Sequence, residues 1–185
     1  MKDDANNREK MAYGKDKIII EVDEREHGER EEKKNVMRML SFYLGVENYC
    51  VDIRAVKEVV RITRITAVPN TPEFVIGVMN LRGEIISVID IGYFFGLGEK
   101  EMTKEARVIV TDVKGESMGV LVDRIQETLY IQEKSVQPTL PTIKGRLAGY
   151  TKGQVKLGDE ILIVLDLEKI LGCEEIEGLK EGGER

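Results

Sequence analysis

The amino-acid sequence predicts a mainly β protein built from hairpins, and three observations carry that expectation. Short β-branched runs alternate apolar and polar side chains, glycine-centred turns separate them, and no long stretch has helical periodicity. A chain of 185 residues with 42% apolar side chains holds one domain, or two small ones around a common core. Antiparallel hairpins of this kind close into a sandwich or a barrel.

The first 36 residues stand apart. Ile18, Ile19 and Ile20 could pair as a short edge strand. Behind them, "EVDEREHGEREEKK" (21–34) carries formal charge on eleven of its fourteen side chains. Mixed charge without apolar spacing buries no face, so residues 1–36 read as a flexible charged extension. From Met37 the hairpins begin. "MLSFYLGVENYCVDI" alternates around Gly45, with Leu40, Phe42 and Leu44 on one face. "RAVKEVVRITRI" (54–65) sets Val56, Glu58, Val60 and Ile62 on one side and Lys57, Val59 and Arg61 on the other. Apolar and charged residues thus occupy both faces. That pattern fits a half-buried strand with a solvated rim, or an apolar strip at a subunit contact.

"FVIGVMNLRGEIISVIDIGYFFGLG" (74–98) is two apolar stretches meeting at Arg82-Gly83, where a hairpin normally uses Asn-Gly or Asp-Gly. Gly83 supplies the positive φ of the turn and Arg82 stands at its rim. "ARVIVTDVKGESMGVLVD" turns at Lys114-Gly115 and "GQVKLGDEILIVLDL" at Gly158-Asp159. Short helices follow Asp90 and Asp166, each stopped by a glycine, Gly96 and Gly172. Residues 173–185, "CEEIEGLKEGGER", read as a charged C-terminal tail.

The chain repeats itself. "EIISVIDIGYFFGL" (84–97) aligns with "EILIVLDLEKILGC" (160–173) at a spacing of 76, and "YCVDIRAVKE" (49–58) with "MGVLVDRIQE" (118–127) at 69. The spacing of 69 also carries Pro69 and Pro72 onto Pro138 and Pro141. An insertion in the second copy reconciles the two, and residues 37–172 read as a duplication. Each copy supplies about five strands, enough to curl into one small barrel.

Composition narrows the chemistry. A net charge of -6 and a pI of about 5.1 suit neither nucleic acid nor an anionic membrane surface. Tryptophan is absent and aromatics reach 5%, which leaves little for base stacking. Cys50 and Cys173 lack CxxC spacing and suit a reducing cytosol. The opening "MKDDANNREK" has no apolar stretch behind a basic one, and no apolar run approaches membrane-spanning length. A cytoplasmic protein without membrane insertion is expected.

Gly115-Glu116-Ser117-Met118-Gly119 matches the GxSxG elbow of serine hydrolases, but that motif needs a following helix and a histidine. Here a strand follows Ser117, and the single histidine, His27, lies in the charged extension. One histidine and two separated cysteines make no conventional zinc site, and neither a calcium loop nor a phosphate loop is present. Asp90 and Asp166 occupy equivalent repeat positions and read as helix caps rather than as a catalytic pair. No enzyme activity, cofactor or metal is expected.

The segments "GVENYCVDIRAVKEV", "AVPNTPEFVIGVMNLRGEIISVIDI" and "GVLVDRIQETL" resemble the CheW family of bacterial chemotaxis adaptors, from about Met37 to Gly172. The resemblance implies two five-stranded SH3-like barrels packed around a shared hydrophobic core, with a short helix near the C-terminus. It implies a non-enzymatic scaffold that couples methyl-accepting chemoreceptors to the regulatory domain of the histidine kinase CheA. Such a protein is recruited from the cytoplasm to receptor arrays at the inner face of the membrane. Carried over by position, the receptor contact falls on Val56, Glu58, Val59, Asn80 and Arg82. Kinase contact falls on Gly119, Val120, Leu121 and Val122, while Gly83, Asp90 and Asp166 keep structural roles. The chain departs from the family in the extension before Met37 and in Cys50, where a small residue is usual. Two rival readings are a nucleic-acid-binding small barrel, opposed by the net charge, and a serine hydrolase at Ser117, opposed by the missing histidine.

Overall fold

A computed structural model describes residues 35–98, 102–113, 115–139 and 146–176. The edge strand read at Ile18–Ile20, the charged run 21–34, Pro141 and residues 177–185 lie outside the described residues. Ten strands are described: β1 (Val36–Leu44), β2 (Glu47–Asp52), β3 (Glu58–Arg61), β4 (Val75–Leu81), β5 (Glu84–Ile89), β6 (Arg107–Val113), β7 (Glu116–Val122), β8 (Arg124–Gln132), β9 (Thr151–Leu157) and β10 (Glu160–Leu165). Short helices accompany them, among them α1 (Gly92–Phe95), α2 (Arg146–Gly149) and α3 (Leu167–Leu171). The mainly β expectation holds, in two five-stranded sheets.

The duplication is written into the pairing. One sheet runs β8-β1-β2-β10-β9 and the other β3-β6-β7-β5-β4, so equivalent strands occupy equivalent places. Parallel partners Ser87–Met118 and Val88–Gly119 in one sheet map onto Ile163–Tyr49 and Val164–Cys50 in the other. The same residues are related by the sequence spacings of 76 and 69.

What the structure corrects is the idea that each copy curls into a barrel of its own. The hairpin β1-β2 sits between β8 and β10 of the second copy, and β6-β7 sits between β3 and β5 of the first. The copies have exchanged hairpins. Strand alternation specifies which face is buried but not which distant strand is the neighbour, so local pattern could not reveal this exchange.

The last connection of each sheet is made by the segment leaving its edge strand. Beyond β3, Thr66 exchanges two backbone hydrogen bonds with Val78 of β4, both 2.8 Å. Beyond β8, Gln137 exchanges two with Gln154 of β9, again 2.8 Å. The chains approach so closely that a Cβ on Gly77 would meet the Thr66 carbonyl oxygen at 2.3 Å. On the equivalent Gly153 it would meet that of Gln137 at 2.5 Å. Both glycines also have φ near +150°, which L side chains rarely adopt.

Burial divides into three clusters. Met39, Cys50, Leu129, Ile131, Val155, Leu162 and Val164 fill one sheet's interior, while Met79, Ile86, Val88, Val108, Val110 and Leu121 fill the other's. The third and largest lies between them and includes Phe42, Tyr49, Phe74, Ile109, Val120, Leu165 and Ile170. Tyr49 stacks between Phe42 (6.3 Å) and Phe95 (5.8 Å) and donates its hydroxyl to Glu47. Ile176, within the stretch read as a charged tail, is fully buried in this shared core.

Asp90 and Asp166 each accept a backbone amide at the start of a short helix but differ in detail. Asp166 caps α3, its Oδ1 accepting the Lys169 amide at 3.3 Å. Asp90 sits one residue ahead of the cap of α1 and accepts the Gly92 amide at 2.8 Å. Their own amides donate to Phe74 and Tyr150, equivalent partners at 2.8 Å. Gly96 ends α1 in the left-handed conformation (φ 72°), whereas Gly172 ends α3 with φ -98°.

Two outcomes test this architecture. Gly77→Ala should lower the unfolding free energy by about 2 kcal/mol, read from the urea midpoint. A chain cut between Gly98 and Met102 should give halves that lack strand circular dichroism singly and regain it when mixed, because neither half contains a complete sheet.

Candidate partner-binding site

The residues expected at a partner surface converge at the seam where the two edges of the second sheet approach each other. β3 pairs with β6 on one side only and is an edge strand; β4, the opposite edge, leads into the turn at Arg82-Gly83. Leu81 faces Glu84 across that turn, so the loop has two residues. Arg82 has φ 54° and Gly83 φ 94°. Positive φ at both central positions is the type I′ turn, whose twist matches that of the flanking strands. The expectation gave the left-handed residue to Gly83 alone; the structure puts Arg82 there as well. A side chain with a Cβ costs about 1 kcal/mol in that region. The repeat-equivalent turn places Gly158 at the same position with φ 61°, where no such cost arises. The Asn80 side chain steadies the loop, its Oδ1 accepting the Gly83 amide at 3.0 Å.

From this turn the Arg82 guanidinium reaches across the seam, donating from Nη2 to Glu58 Oε2 at 2.8 Å. The arginine side chain is 77% exposed and the glutamate 28%. The pair is therefore well solvated and of modest worth to stability. What it does is hold a planar donor fork at the rim of an edge strand.

Val59, on the outer face of β3, is 38% exposed, and Val56 is half-buried against the shared core. Beside them Lys57 pairs with Asp112 at 2.8 Å and donates to Ser117 Oγ at 3.1 Å. The Asp112 hydrogen bond raises the lysine pKa above its ordinary value. Arg54 forks onto Asp52 and holds that carboxyl below its ordinary range. Ile85, opposite Asn80 on β5, is 63% exposed. Sequence reasoning passed over Ile85, although alternation with buried Ile86 and Val88 marks it as outward-facing.

Glu58 and Val59 on β3, with Val56 just ahead of it, and Asn80 and Arg82 at the end of β4 thus meet across the seam between the sheet's two edges, joined by the Arg82–Glu58 pair. Gly119, Val120, Leu121 and Val122 do not form a surface. They lie on β7, between β5 and β6, and all four are buried. A kinase contact drawn on them is corrected: all four are buried, so this stretch of the central strand presents nothing to a partner. Ser117 lies within β7, and the next element is strand β8 rather than a helix. The hydrolase elbow has no counterpart here. Burial raises the thiol pKa of both Cys50 and Cys173 and favours the protonated form.

Comparison with known proteins gives one consistent family. A family model described as a CheW-like domain matches residues 38–175. The chemotaxis protein CheW of Thermotoga maritima is 35% identical over 144 residues, 78% of this chain and 91% of the relative. That of Treponema pallidum is 32% identical over 146 residues, 77% and 86% of the two chains. Among solved structures, the scaffolding protein TtCheW from Thermoanaerobacter tengcongensis superposes with a TM-score of 0.67 at 34% identity. The match covers 75% of this chain and 94% of that one.

Arg82→Gly should leave the protein as stable or stabilise it by about 1 kcal/mol, because strain relief offsets a solvated ion pair. Thermal unfolding of Arg82→Gly beside Arg82→Ala and Glu58→Gln measures this. A loss above about 2 kcal/mol would make the arginine a structural clasp.

Proposed function

Because the chain belongs to the CheW family of chemotaxis coupling proteins, we propose that it couples the cytoplasmic tip of chemoreceptors to the histidine kinase CheA. Its receptor-facing surface is the β3 edge with the Arg82 turn. The observation that carries this reading is Arg82 itself. It occupies a left-handed backbone position that its duplicate fills with glycine, and its side chain is held outward by Glu58. A residue retained against local backbone preference, with an exposed donor fork beside Val59, fits a binding role better than a turn role.

The mechanism follows from the duplicated scaffold. Val56 and Val59 supply apolar contact at the flank of the shared core. Arg82, released from or shared with Glu58, donates to a carboxylate or backbone oxygen of the receptor. A second surface holds the regulatory domain of CheA, so that receptor state biases the geometry in which the kinase is held. This is a population shift rather than a chemical step. Single contacts of this size are modest, and repetition in an array supplies the strength. Among the described residues no helix is long and apolar enough to cross a membrane. The protein acts from the cytoplasm and reaches the membrane through its receptors.

Reconstitution tests the proposal: receptor cytoplasmic fragment, CheA and this chain are combined and kinase autophosphorylation is followed. Adding the chain should make kinase activity track receptor state, and Arg82→Gly should abolish that dependence while remaining folded. Kinase activity indifferent to the chain would overturn the assignment.

A further inference from the structure

We propose that Arg61 and Arg107 form an acid-selective end to this surface, recognising a carboxylate-bearing segment of the receptor tip that lies along β3. The inference rests on the β3 edge being the receptor surface and names the chemistry that edge selects. Antiparallel pairing sets Arg61 directly opposite Arg107, and residues so paired share a face. Their neighbours Val60 and Val108 pack in the sheet interior, so the two arginines share the outer face with half-exposed Val59. Two cations directly opposed are repulsive.

The surrounding cations are treated differently. Arg54 is paired with Asp52, Lys57 with Asp112 and Arg82 with Glu58. Among the described residues neither Arg61 nor nearby Arg64 has an acidic partner. Arg107 is held in place by its own backbone, Nη1 donating to the carbonyls of Lys104 at 2.9 Å and Ala106 at 2.8 Å. The fork is thereby fixed without its charge being neutralised.

The duplicated barrel shows the alternative. The repeat-equivalent pair is Tyr130 opposite Arg38, and there the guanidinium lies over the tyrosine ring, 5.8 Å from its centroid. One scaffold position is thus satisfied internally in one sheet and left as opposed, uncompensated cations in the other. In a chain of net charge -6, that local excess is complementary to an acidic segment, whose carboxylates would bridge the two guanidinium groups.

Arg61→Tyr installs the duplicate's own solution and is the decisive variant. Thermal unfolding of the free chain should show equal or higher stability than wild type. Its affinity for a recombinant receptor-hairpin fragment should fall about tenfold, with a flatter dependence on salt between about 0.05 and 0.5 M. Unchanged affinity and salt dependence would overturn the inference while leaving receptor coupling intact. A second arm is independent of the receptor: a glutamate-rich helical peptide and its glutamine twin are titrated against the labelled full chain. Amide shifts confined to β3 and β6, with the glutamate peptide only, support the proposal. Equal shifts with both peptides, or none with either, overturn it. If the receptor fragment fails to bind wild type, the coupling assignment falls and the peptide arm decides the acid-selective site.

Discussion

The exchange of hairpins between the two copies is the constraint on which the rest of the molecule depends. Each parallel contact, β2 with β10 and β5 with β7, joins strands from different copies. Neither sheet is complete until both copies are present. The outer sides of these central strands then face one another and create the shared core of Phe42, Tyr49, Ile109 and Val120. The two sheets are consequently one cooperative body whose interior positions repeat, with Gly77 and Gly153 at the two closures and Asp90 and Asp166 leading into α1 and α3.

Against that symmetry, the differences between equivalent positions are informative. At the β4–β5 turn an arginine stands where the β9–β10 turn has Gly158. At the cross-strand position of β3 and β6 two arginines oppose each other where β8 and β1 pair tyrosine with arginine. The fold tolerates both arrangements, and the more favourable one is available in each case in the other sheet. The departures fall on β3, on its partner β6 and on the β4–β5 turn whose arginine reaches Glu58 of β3. A duplicated scaffold that diverges at one edge presents one specific surface instead of two copies of it, and function is located by the site rather than by the fold.

Much of this was legible in the sequence because it depends on short-range pattern. Alternation with turn glycines disclosed the hairpins, and the spacings of 69 and 76 already related the residues that pair in the two sheets. Glu58 and Arg82 were assigned to one contact region only through the family resemblance, and their hydrogen bond came from the tertiary structure. The candidate kinase residues Gly119 to Val122 were misjudged for a physical reason. A strand of small and branched apolar residues looks alike at an edge and at the centre of a sheet, and only its neighbours decide. Ile176 was misread similarly, a single apolar residue among charges whose burial depends on where the chain returns.

The sequence by itself determined the hairpins, the duplication, the lack of a hydrolase elbow and the signature around Arg82, because each is a property of residues close along the chain. The tertiary structure alone decided that the copies exchange hairpins, that Arg82 shares the left-handed turn with Gly83, and that Arg61 meets Arg107. Those outcomes arise from register between strands distant in sequence, set by how the shared core closes, and no local period encodes them.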